Sequence, residues 1–98
     1  MDLINKEFKN SKGVDLIMAV SYERDKLKLN GDKTNNQFYV TFYKGNYMLS
    51  RYYMRTLLEG KNEGLCLEGS NPDKYFVDKK DMIEFRKVFK TINTIKGA

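Results

Sequence analysis

The chain has 98 residues, of which 41% are hydrophobic and 13% aromatic, enough for one small globular domain over 1–98 and too few for two. Its formal charge of +5 has the sign suited to nucleic acid, an anionic surface or an acidic protein as partner. With no histidine and a single cysteine, Cys66, it cannot build a Ser-His-Asp or Cys-His catalytic group, a histidine-bearing zinc site, a cysteine zinc cluster or an intrachain disulfide.

In chain order, Leu3, Ile4 and Phe8 fall at near-helical spacing and predict a short N-terminal helix within 1–12, followed by a loop at Asn10–Gly13. From Val14 the period becomes two. Val14, Leu16, Met18, Val20 and Tyr22 alternate with Asp15, Ile17, Ala19 and Ser21, which predicts a strand with one face in the core. Glu23–Asp25 reads as a turn, Lys26–Leu29 as a second strand, and Asn30–Asp32 as a turn whose Asn and Gly accept positive φ. Gln37–Tyr43 is the clearest strand, with Phe38, Val40 and Phe42 on one face and Tyr39, Thr41 and Tyr43 on the other. Lys44-Gly45-Asn46 closes a hairpin and Tyr47–Leu49 returns from it.

Beyond the hairpin, Ser50 is positioned to cap a short helix over 51–59 with Gly60 as its left-handed stop; the alternative is a strand running on to Met54. Leu65–Leu67 and Lys74–Val77 read as short strands around a turn containing the only proline. Asp78 then opens the strongest helix, whose apolar positions Met82, Phe85, Val88, Phe89 and Ile92 follow the helical period. The fold class expected is α+β: an antiparallel sheet of about five strands with a C-terminal helix packed on one face, leaving the other face open. Cys66 is expected to be packed and inert, between Leu65 and Leu67.

No stretch reads as a secretory signal, and the longest apolar run, Leu16–Val20, is far short of the roughly 20 residues a membrane span needs, so a cytoplasmic location away from membranes is expected. The glycines match no phosphate-cradling spacing. Pro72-Asp73 and Asp78-Lys79-Lys80 superficially match a nuclease pattern, but that pattern needs a hairpin's length between its halves, and Asp78 is better explained as a helix cap. Lys44 and Gly45 are the only residues in register with an RNA-recognition signature that requires an aromatic where Asn46 stands. An enzymatic role is not expected, and neither is a cofactor or a bound metal.

One window stands out. Between Asp32 and Glu59 there is no acidic residue, yet the window carries Lys44, Arg51 and Arg55 among five tyrosines. Basic groups neutralise phosphates and aromatic faces stack bases. Strand tyrosines taken singly are commonly structural, but as a group these stand apart: with Phe38, Val40 and Phe42 in the core, Tyr39 and Tyr43 are left facing out. Tyr39, Tyr43, Lys44, Tyr47, Arg51 and Arg55 are therefore the candidate binding residues, with Arg51 and Arg55 expected one helical turn apart. Strands first and one strong helix last resembles, in order of elements, small single-strand-binding sheets of the positive-cofactor type, and that resemblance carries no residue roles with it. Two functions fit: a module that binds single-stranded nucleic acid, or a small inhibitor or accessory protein of the phage or mobile-element kind that docks on a host protein through the same face. A homodimer formed through an edge strand is compatible with either.

Overall fold

Alternation dominates the first half of the chain, and the computed structural model, which describes residues 2–25, 35–67 and 71–97, turns it into four consecutive strands. Strands β1 (Asp2–Lys9), β2 (Asp15–Asp25), β3 (Asn35–Lys44) and β4 (Tyr47–Tyr53) form an antiparallel sheet in sequence order. A one-turn helix α1 (Met54–Leu58) follows, then a two-stranded ribbon of β5 (Leu65–Cys66) and β6 (Phe76–Val77), then the long helix α2 (Lys79–Gly97). The described residues thus hold six strands in two sheets, an α+β fold with its long helix at the C-terminal end.

The core lies between α2 and one face of the large sheet. Leu16, Met18, Val20, Val40 and Phe42 from the sheet and Met82, Phe85 and Phe89 from α2 are each no more than 2% exposed. Phe8 stands edge-on to both Phe42 and Phe85, with ring centroids 6.3 and 5.1 Å away. The alternation of β2 and β3 places the same residues in the core that the sequence pattern assigns to it. Met82, Phe85 and Phe89 also face inward as the helical period requires.

The N-terminal segment corrects the expected helix. It is strand β1, paired to β2 with Ile4 opposite Val20, Lys6 opposite Met18 and Phe8 opposite Leu16. Its inward row of Ile4, Lys6 and Phe8 has a lysine in the middle, which hides the period of two. Lys6 tolerates the position because its ammonium reaches out over the Phe85 ring, 5.8 Å from the centroid. β2 also runs through Glu23–Asp25, expected as a turn. The strand and turn expected over 26–32 lie outside the described residues.

The second correction concerns Ser50–Gly60. Ser50 does not cap a helix; it sits buried in β4 opposite Phe42, and the strand continues to Tyr53. Tyr52 holds the strand there, because its ring packs edge-on against Phe42 at 6.2 Å and its hydroxyl donates to the Cys66 carbonyl at 3.3 Å. Only Met54–Leu58 coils, and it buries Met54 and Leu57. Gly60 is not in the left-handed region expected of it. It matters for space: a Cβ there would stand 3.0 Å from Nη2 of Arg86.

Arg86 is itself buried, and it joins three pieces of the chain. From α2 its Nε donates to the Leu57 carbonyl at 2.9 Å and its Nη1 to the Glu63 carbonyl at 3.1 Å. The Leu57 carbonyl belongs to the last turn of α1, where unsatisfied acceptors favour a cation. Asn10 does the same at the other end of the core. Its Nδ2 donates to the carbonyls of Lys74 and Phe76, at 2.9 and 3.1 Å, while its Oδ1 accepts from the N–H groups of Lys12 and Val14. One buried side chain therefore shapes the β1–β2 turn and ties β6 against it.

Candidate functional site

The face of the sheet opposite α2 is built from the other half of each strand's alternation. Following the pairing across it, one row reads Glu7, Ile17, Tyr43 and Met48, the next Asn5, Ala19, Thr41 and Arg51, and the third Ser21, Tyr39 and Tyr53. Ala19, Ser21 and Thr41 in the middle are buried although no helix among the described residues covers them. Flanking side chains provide the cover. Arg51 lies over the Tyr39 ring, its guanidinium carbon 4.2 Å from the centroid, and Tyr39 packs on Tyr53 with centroids 5.3 Å apart. Arg55 continues the series above Tyr53 at 5.7 Å.

Arg51 also forms an ion pair with Glu23 of β2, which accepts a hydrogen bond from Ser21 as well. Hydrogen bonding from Arg51 is the main reason the Glu23 carboxyl is held below its ordinary value; burial, the next largest effect, opposes it, and the charge of Arg51 and the Ser21 hydroxyl add to the lowering. A carboxyl lowered in the folded state stabilises the fold above the unfolded pKa and loses that contribution as pH falls through the lowered value. Thermal midpoints measured from about pH 6 down to about pH 3 are expected to fall less steeply in Glu23→Gln than in the parent chain. Parallel curves would mean that the pair contributes nothing to stability. The pair is over a third exposed, so the effect is small.

This geometry revises the sequence reading of the basic window. The window is acid-free along the chain, but the sheet brings Glu23 to Arg51 and sets Glu7 in the same row as Tyr43. Arg51 and Arg55 are not one helical turn apart: Arg51 is a strand residue and Arg55 belongs to α1. Of the six candidates, Tyr39 and Arg51 are drawn together over the sheet centre, whereas Tyr43, Lys44 and Tyr47 lie toward the β3–β4 hairpin and Arg55 at the far end of β4.

What projects most lies along β4. Tyr47 is 73% exposed, Met48 54% and Tyr53 42%; Leu3 on β1, at 50%, is the other large apolar side chain exposed to this degree among the described residues. Met48 carries no sequence signal that separates it from core residues, and the register shift between Phe42 and Tyr43 sets it opposite Tyr43, while Tyr53 faces outward with Arg51 by the alternation of β4. Gly45, with φ +59°, makes the tight hairpin that presents Tyr47.

The other sequence features fall elsewhere. Cys66 is exposed, not packed as expected, because Leu65 and Leu67 take the inward positions around it. The Asp78 carboxylate accepts from the backbone N–H and hydroxyl of Ser11, at 2.7 and 2.8 Å, which anchors the β1–β2 turn to the start of α2. Asp73 lies in the turn before β6, so the two halves of the nuclease-like pattern do not stand on neighbouring strands. Among the described residues no helix is long and apolar enough to cross a membrane, and no group of acidic or cysteine side chains is placed to hold a metal. No protein-family model matches the sequence, and comparison with curated proteins and with solved structures finds no match.

Proposed function

We propose that the protein is a non-enzymatic binding module that takes single-stranded nucleic acid along the helix-free face and the β4 margin. The observation that carries this reading is the exposure of Tyr53 on the helix-free face and of Tyr47 at the hairpin end of β4, with Lys44 and Arg55 as cations of the same window outside the Glu23–Arg51 pair. Exposed aromatic rings stack on unpaired bases, and that contact is lost in a duplex whose bases already stack on each other. With two cations serving the backbone, the salt dependence is shallow: at about −0.7 per phosphate contact, log affinity falls with a slope of about −1.4 against log salt.

The test is fluorescence anisotropy with short single strands and duplexes of equal length at two salt concentrations. Single strands are expected to bind more tightly. Tyr53→Ala is expected to lose about 1–3 kcal/mol with no change in slope. Arg55→Ala is expected to weaken all sequences alike and flatten the slope by about 0.7. No binding at low salt would end this reading.

A second reading, docking on a host protein, draws on a different observation. Met48 and Leu3 are exposed on a face where Glu7, Glu23 and Asp15 offset the basic groups, a composition suited to a protein interface. In that case Met48→Ala and Tyr47→Ala would weaken capture of one protein and leave oligonucleotides unbound.

A further inference from the structure

Resting on the nucleic-acid reading, we infer that one nucleobase bearing an amino group is held in a depression of about 250 Å³ lined by Asn5, Ile17, Tyr43, Gly45 and Asn46. The lining brings adjacent strands together: Asn5 comes from β1, Ile17 from β2, Tyr43 from β3, and Gly45 and Asn46 form the turn into β4. None of the five carries a formal charge, so the site takes a neutral group and not a phosphate. Ile17 and Tyr43 are paired neighbours and offer an apolar wall and a ring face. Asn5 and Asn46 each offer a paired donor and acceptor, the complement of a heterocycle's edge. An apolar wall with a few convergent amides describes a flat polar ring better than an aliphatic side chain.

The neighbouring charge sets the preference among bases. Glu7 does not line the depression but stands beside it, opposite Ile17 in the same cross-strand row, where its carboxylate offers an acceptor at the rim and repels a phosphate. Carboxylates accept from the exocyclic amine of cytosine, and asparagine pairs with the donor and acceptor of adenine. Thymine presents a carbonyl oxygen where these bases present an amine. Adenine or cytosine is therefore favoured over thymine.

The test uses the full chain and a thymine strand of about a dozen nucleotides, compared with the same strand carrying one central cytosine or adenine. The substituted strand is expected to bind about tenfold more tightly, a difference of about 1.4 kcal/mol. Asn5 and Asn46 are both exposed, so the double variant Asn5→Ala, Asn46→Ala is expected to keep its melting temperature and to reduce the preference to about twofold, with thymine-strand affinity unchanged. Equal binding of all strands by the parent chain, or a preference that survives in the double variant, overturns the base site while leaving single-strand binding intact. No binding of any strand overturns both.

Discussion

Replacing Phe85 or Phe89 with alanine is expected to lower stability by about 3–5 kcal/mol in urea unfolding. Both rings are almost wholly buried and tilted toward each other with centroids 6.5 Å apart, and Phe85 also meets Phe8 of the edge strand. A domain of this size has about 5–15 kcal/mol in total, so either change threatens the folded state at body temperature. The effect is large because α2 is the layer that covers the sheet's apolar face. Variants that unfold within about 0.5 kcal/mol of the parent would show that α2 does not pack there.

Asn10→Ala is expected to cost about 3 kcal/mol, comparable to a core cavity although the side chain is polar. Its removal leaves the Lys74 and Phe76 carbonyls without their donor, and the Val14 N–H without its acceptor in a buried position. Asn10→Asp makes the finer test. The carboxylate still accepts from Lys12 and Val14 but faces two carbonyls it cannot donate to, so it too is expected to destabilise. Should Asn10→Asp match the parent in urea unfolding, the bonds to Lys74 and Phe76 do not contribute.

The two cases differ in how visible they are in the sequence. Phe85 and Phe89 announce themselves through helical spacing, just as Leu16, Met18 and Val40 do through alternation, because apolar periodicity follows directly from which face is buried. Asn10 and Arg86 have no such signature. Each bonds to carbonyls distant in the chain, 64 and 66 residues away for Asn10, and only the assembled fold says which polar residue will be enclosed. β1 was hidden for a related reason: Lys6 occupies an inward position at the edge of the sheet, where its long stem reaches water. The candidate site shows the limits of a one-dimensional window. Tyr39 and Tyr43 are correctly assigned to the outward face, but the acid that pairs with Arg51 comes from β2, two strands away in the sheet, and the outward position of Met48 is set by a shift in register.

The order of the strands has a consequence for how the chain is made. All four strands of the large sheet pair with their sequence neighbours, so each hairpin can close as soon as its second strand leaves the ribosome. The layer that covers them, α2, is synthesised after all four. At about 5–20 residues per second, the 19 residues of α2 alone take about 1–4 seconds. Through that interval Met18, Val20, Val40 and Phe42 present a bare apolar surface, and a message truncated before α2 would leave it bare for good. A point of hazard for this fold therefore comes during translation, when a nascent sheet waits for the helix that follows it.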